Sequence, residues 1–359
     1  MFKIYEKYII KKFFEKFIKT CVVFASLIII LNVFEEISFF KNLDSKFFTP
    51  YFLTLLNTPI TLFEIFPFIF LLSTQLFFYD IFKKNELVLL KNNGLSNLKI
   101  IKTLFFFTII MGILLMVIYY NFASKLKFIY TDIKNNFSND NKYLAVVNES
   151  GLWLKDEINQ SILVVKSNYI KENFLNNVII NEFDFEFNHK KTIQSDKIDI
   201  SEKNWLVYKP TITQKNLSVS SQETIIFQTN FDRKKINSLF SNFATLSLLE
   251  LFDLKKDYES LGYSSDEIVI HLLKLISTPF FYSLMTILSA IIMFSTKKDQ
   301  SIFFHIILGI LISVLIYYLN FMFISLGNTG KIPADISVFL PILFISIITI
   351  MGLVRVNEK

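Results

Sequence analysis

Cysteine is almost missing from this chain: Cys21 stands alone among 359 residues. No disulfide can form within the chain, and cysteine usage therefore reports no compartment. Glycine is scarce too, at eight, and none falls in a G-x-x-x-x-G-K-S/T phosphate loop. Nucleotide hydrolysis by that route is excluded. The three histidines, His189, His271 and His305, have no i, i+4 partner and no cysteine pair nearby, so they make no zinc-type ligand set. No G-x-S-x-G nucleophile elbow occurs either. No catalytic set is visible, no cofactor and no metal are expected, and the chain does not read as an enzyme on its own.

What the chain has is apolar length. Hydrophobic residues make up 52% and the mean hydropathy is +0.46, values of an integral membrane protein. A bilayer core needs about 20 mostly apolar residues per helix. Thr20–Phe34, Phe52–Phe78, Leu104–Ala123, Leu272–Phe294, Phe303–Leu326 and Ile336–Val354 approach or meet that length, which predicts six spans. Cys21 lies in the first of them and reads as a small apolar residue.

The charge distribution orients these spans, because lysine and arginine collect on the cytoplasmic side. Lys3, Lys7, Lys11, Lys12, Lys16 and Lys19 precede span 1, and Lys83, Lys84, Lys91, Lys99 and Lys102 separate spans 2 and 3. With Lys297, Lys298, Arg355 and Lys359, one side holds fifteen; the other short segments hold only Lys41, Lys46, Lys274 and Lys331. Both termini are expected in the cytoplasm, and the long insert Ser124–His271 on the opposite side of the membrane. That insert carries 18 Lys+Arg against 20 Asp+Glu, so the basic pI of 9.0 belongs to the membrane part. Nucleic acid is not an expected partner, since no basic stripe with interleaved aromatics accompanies the charge. Span 1 reads as retained, because no small-x-small cleavage site follows before Glu35 and Glu36.

Ahead of span 1, Phe2, Tyr5, Ile9, Phe13 and Phe17 recur at helical spacing, opposite Lys3, Lys7, Lys11, Glu15 and Lys19. The pattern predicts an interfacial amphipathic helix. Span 2 carries Pro59, Glu64 and Pro67. Two placements are open to Glu64: a bundle interior or wet cavity, or the interface if the hydrocarbon begins near residue 60. In the insert, "YLAVV" (143–147), "GLWLK" (151–155), "SILVVKS" (161–167), "VIINEFDFEF" (178–187), "TIQSDKIDI" (192–200), "NWLVYKPTITQ" (204–214) and "ETIIFQT" (223–229) read as strands. Seven or more short strands point to a sandwich or jelly roll. Residues 247–276 read as two helices, the first ended by Gly262 and the second capped near Ser264 or Ser265.

The predicted fold is thus a membrane α-helical protein, six transmembrane helices arranged 3+3, with an inserted all-β, jelly-roll-like periplasmic domain. Residues 1–123 would hold the interfacial helix and spans 1–3, 124–246 the β domain, 247–271 a helical connector and 272–359 spans 4–6. Between spans 2 and 3, "KKNELVLLKNNGLSNLKI" (83–100) stands out. Glu86–Leu90 is helix-prone with Leu87 and Leu90 on one face, Asn92-Asn93-Gly94 supplies a left-handed stop, and Ser96 can cap the next helix. Such a short amphipathic helix, at about 83–95, suits a groove on a partner. The same residues also suit an ordinary basic loop.

From "TPITLFEIFP" (58–67) through "NELVLLKNNGLS" (85–96), the chain resembles the LptF/LptG family of lipopolysaccharide-export permeases. The shared pattern is a proline, a second proline eight residues on, a Glu-Leu pair and a Gly-x-Ser. "GLWLKD" (151–156), with Gly151, Leu152, Trp153, Lys155 and Asp156, resembles the start of the periplasmic domain of LptG members, and "GKIPADISVFLP" (330–341) their last loop and span. The resemblance covers essentially the whole chain. It implies that Glu86 is the coupling-helix acid that engages a cytoplasmic ATPase, that Gly94 closes that helix, and that Pro59 and Pro67 match the span 2 prolines. It makes Asn32, Glu35, Glu64, Pro59 and Pro67 candidates for a lipid cavity lined by spans 1, 2 and 5. Where some LptG proteins place a lysine near the outer end of span 1, this chain has Asn32, then Glu35 and Glu36, so that phosphate contact does not carry over.

The partners implied are an LptF-like paralogue, an LptB-like ATPase dimer, an LptC-like bitopic protein, lipopolysaccharide and membrane lipids. An LptF-type subunit of the same complex is the nearest alternative, and "GLWLKD" favours LptG. A membrane-anchored scaffold or sensor with a ligand-binding β domain is the alternative outside transport; it would bring down no ATPase. Lipoprotein-releasing permeases, with four spans and their large domain after the first, do not fit the layout.

Overall fold

The computed structural model describes residues 3–357, apart from 42, 44–45, 138–151, 159–160, 172, 215–216, 221–222, 234–235, 237–241, 261–263 and 296–300. The expected strand at 143–147, Gly151, Gly262, Lys297 and Lys298 lie outside the described residues. Six helices are long and apolar enough to cross a membrane, and an antiparallel β domain is inserted between the third and fourth. The chain divides into two compact units. One comprises 1–127, 247–251 and 265–359; the other comprises 128–246 and 252–264.

In the first unit, α1 runs unbroken over Ile4–Phe40 and α2 over Thr49–Lys83. The short α3 (Glu86–Asn92) and a tight turn lead into α4 (Asn97–Leu114). A π turn, Leu115–Tyr119, joins α4 to α5 (Tyr120–Phe137). The third span helix thus continues past Ala123, where the apolar run ends. Its π turn rephases the helix so that adjacent tyrosines both reach inward: Tyr119 donates to the Pro59 carbonyl (3.0 Å), and Tyr120 hydrogen-bonds His271 Nε2 (3.1 Å). After the β domain come α6 (Leu248–Ser260), α7 (Asp266–Ser295), α8 (Ile302–Asn328) and α9 (Ala334–Asn357).

Proline inside a helix frees the carbonyl four residues back. In α7, Pro279 frees that of Leu275, and the Thr278 hydroxyl donates to it at 2.7 Å. Glycine allows close approach at one crossing: a Cβ on Gly112 of α4 would stand 2.7 Å from Pro279 Cα of α7. Burial then fixes the faces. Ile9, Phe13, Phe17, Ile28 and Phe40 form the buried stripe of α1, with Phe13 edge-on to Phe77 and Phe17 stacked near Phe66. The apolar face expected to lie in a membrane interface is, over residues 9–17, part of the helix bundle's own core. The periodicity reads equally for either, because lipid and protein interior are both apolar.

In the second unit the described strands form one antiparallel sheet. β1 (Leu152–Ile158), β2 (Ser161–Lys171), β3 (Phe174–Phe183) and β4 (His189–Asp199) pair in succession. The far edge of β4 forks. Its residues 197–199 pair β5 (Asn204–Tyr208), followed by β8 (Ile225–Gln228); its residues 192–194 pair β6 (Thr211–Gln214), followed by β7 (Leu217–Ser220). The expected single strand 204–214 is two, because Pro210 donates no ladder bond and Lys209 takes φ 44. Register aligns Leu154, Val165, Ile180, Ile193 and Ile212 in one apolar row across five strands. The alternate residues face away, as a period of two requires.

Candidate functional site

Two left-handed residues bracket α3. Asn85 (φ 54) precedes it and Gly94 (φ +78) follows it. Leu95 N bonds the Leu90 carbonyl (3.1 Å) and Gly94 N that of Lys91 (2.9 Å), the paired bonds of a Schellman stop. Ser96 then caps α4 by accepting from Lys99 N. Gly94 is needed for its backbone, since a Cβ there would meet nothing within 4 Å. A left-handed non-glycine residue costs about 1–2 kcal/mol, and asparagine tolerates the conformation best. Gly94→Val is therefore expected to speed amide exchange across residues 85–95 roughly 5- to 30-fold, and Gly94→Asn to leave it near parental.

Seven residues make too short a helix to persist alone, so α3 depends on its attachments. Leu87 is buried (5% exposed) and Leu90 half-buried, anchoring one face. The opposite face presents Val88 and Leu89, 48% and 62% exposed, which the sequence reading passed over. Glu86 sits between: its Oε2 accepts from the Tyr8 hydroxyl (2.7 Å) and forms an ion pair with Lys12 Nζ. Lys16 pairs with Asp80 one turn further along the same helix. Partial burial works to raise the Glu86 carboxyl, but bonds from Lys12 and Tyr8 and the nearby Lys84 outweigh it and hold it below the usual carboxylate range. The pair is therefore intact at neutral pH and is lost as pH falls through that depressed value.

The cavity candidates fall on α1 and α2, which pack together along their length. Asn32 and Glu64 each lie sixteen residues from the Lys16–Asp80 pair, about 24 Å along their helices. In an apolar slab of about 30 Å this is near the far boundary. Glu64 is exposed on this chain's surface and outside its own bundle interior, as is Glu35. Asn32 is half-buried, whereas Glu36, one turn on, is almost fully buried at 1% exposure. Its place on the stripe with Ile28 and Phe40 was the available signal. Pro59 and Pro67 both lie within an uninterrupted α2.

Of the strand motif, Leu152 is buried, Trp153 is half exposed with Lys166 Nζ 5.0 Å above its ring, and Lys155 is half-buried. Asp156 is buried, at 2% exposure. It accepts from Thr229 Oγ1 (2.6 Å), Asn230 N (2.9 Å) and Asn230 Nδ2 (2.9 Å). β1 and β8 stand at opposite ends of the strand order, so these bonds require a sheet curled enough to bring its first strand to the residues after its last. Beside them, Trp205 Nε1 donates to the Phe231 carbonyl (2.8 Å), and both side chains are buried. Among the described residues no group of three or more His, Cys, Asp or Glu could hold a metal ion.

Six apolar helices and an inserted curled β sheet define a multi-pass membrane protein with a β domain. Residues 7–355 match the family described as lipopolysaccharide export system permease LptF/LptG, and the chain belongs to that family. Its members are transport permease subunits of a lipopolysaccharide export complex with other Lpt proteins, not enzymes. No curated protein matches the chain.

Proposed function

We propose that this chain is the LptG-type permease subunit of an ATP-driven exporter in the bacterial inner membrane. It would extract lipopolysaccharide and pass it to a β-domain bridge, together with an LptF-like paralogue, an LptB-like ATPase dimer and an LptC-like protein. Both termini and α3 would be cytoplasmic and the β domain periplasmic. The observation that carries this reading is the bare Val88–Leu89 face of α3, beside Glu86 at the family's coupling position. A separate ATPase would dock there and drive closure of a cavity formed with the paralogue, to which Asn32, Glu35, Glu64 and the Pro59 and Pro67 turns of α2 contribute. Glu64, exposed on the single chain near the far boundary, would face that cavity or the membrane interface rather than lipid. Acyl chains cost about 0.8 kcal/mol per CH2 in water, which favours an enclosed path through the curled, jelly-roll-like sheet.

The test is purification of the tagged chain with identification of what accompanies it. An ATPase and a second permease are expected. Val88→Asp with Leu89→Asp should weaken ATPase capture about a hundredfold, by loss of the buried area of two apolar side chains. Recovery of the chain with a periplasmic ligand and no ATPase would favour the scaffold reading. Recovery with an LptG-type partner would assign the chain as LptF-type.

A further inference from the structure

Glu86 faces its own chain. Its carboxylate is occupied by Lys12 and Tyr8 of α1, while the exposed side of α3 is apolar. The clasp is compact: Lys12 Nζ lies 5.7 Å from the Tyr8 ring centroid and 3.5 Å from its hydroxyl, so both α1 groups converge on one carboxylate oxygen. From the clasp, α1 continues without a break to Phe40, and it carries Asn32 and Glu36 near its far end. An unbroken helix of 37 residues is a rod of roughly 55 Å.

We infer that Glu86 acts within the chain, as a positioning residue, and that Tyr8 and Lys12 are the parts that make it work: the clasp ties α3 to span 1, so that force on Val88 and Leu89 moves α1. This rests on the coupling reading above and adds which span is moved and through which atoms. Without the clasp, α3 hangs between two left-handed turns, held on its inner face by Leu87 and the half-buried Leu90 and by no charged contact to α1, and a push from the docked partner is spent on the turn. With it, displacement of α3 is displacement of α1, the wall that carries Asn32. The second pair, Lys16–Asp80, makes α2 follow.

The experiment is a charge exchange in the complete complex, reconstituted with its ATPase in lipopolysaccharide-loaded vesicles, reading lipid released per ATP hydrolysed. Glu86→Lys is expected to lower release per ATP at least tenfold, and Lys12→Glu with Glu86→Lys to restore it to within about twofold of parental. Lys12→Met, which keeps the stem packing, should lower release per ATP severalfold while ATPase capture and melting temperature stay parental. Should the double exchange stay as inactive as Glu86→Lys while Lys12→Met exports normally, Glu86 acts directly on the ATPase and the clasp is overturned. Should Glu86→Lys itself export normally, the coupling role of α3 falls, and the clasp with it. If Glu86→Lys does not fold, the comparison of Lys12→Met with Lys12→Arg decides: parental release from both overturns the inference, and a loss in Met alone supports it.

Discussion

Gly112→Val is expected to leave no correctly packed helix bundle. At Gly112 the α4 backbone runs against α7, and an added Cβ would meet Pro279 Cα at 2.7 Å, Pro279 Cβ at 3.1 Å and Tyr282 Cδ2 at 3.3 Å. The nearest obstacle is backbone, in a proline ring that cannot rotate away, and Tyr282 beside it is 1% exposed. Relief therefore means parting two packed helices. Overpacking of this kind costs about 1–3 kcal/mol for a methyl or two, and parted helices forfeit dispersion contacts along the seam as well. Valine should abolish the monodisperse peak in detergent, as followed by fluorescence-detected size exclusion. Alanine gives a test of sign. Helix propensity alone would make Gly→Ala stabilising by up to about 1 kcal/mol, so the close approach requires instead that Gly112→Ala lower the melting temperature. A rise would mean that α4 and α7 do not touch there.

The second large effect is expected at Asp156. Asp156→Ala removes the acceptor for the Thr229 hydroxyl, the Asn230 N–H and the Asn230 side-chain amide together. Bonds to a buried charged acceptor are worth more than neutral ones, and the donors left behind carry their own desolvation cost. A loss of roughly 3–5 kcal/mol follows. Because these bonds hold the start of the sheet to the segment after β8, the loss should fall on the β domain and leave the helix bundle intact. Limited proteolysis of the full chain in detergent should cut between 221 and 241 more than a hundredfold faster, while the spans stay protected. Asp156→Asn should be milder: one oxygen still accepts, but its amide nitrogen opposes that of Asn230. Unchanged protection in Asp156→Ala would show that the sheet holds its curl without the carboxylate.

Six spans were legible because hydrocarbon thickness dictates a length, and a run of apolar residues either has it or does not. Most of the sheet was legible for a related reason: pleated backbone sends alternate side chains to opposite faces, so Leu152, Leu154 and Asp156 had to share one. The stop at Asn93-Gly94 was legible because left-handed backbone has few takers. In each case the controlling neighbours lie within about four residues along the chain.

The decisive contacts of the site lie much further apart. Tyr8 and Lys12 meet Glu86 across more than seventy residues, Gly112 meets Pro279 across more than a hundred and sixty, and Asp156 meets Asn230 across seventy-four. Nothing local separates Lys12 from Lys11, and although Glu36 shares a stripe with Ile28 and Phe40 that Glu35 does not, the stripe alone does not say which face of α1 meets protein. Only the packing of α1 on α2 turns the first of each pair inward and leaves the second outside. Propensity and periodicity determine which faces are apolar; which charge is taken in beneath them depends on the angle and register at which two helices cross, and that exists only once the chain has folded.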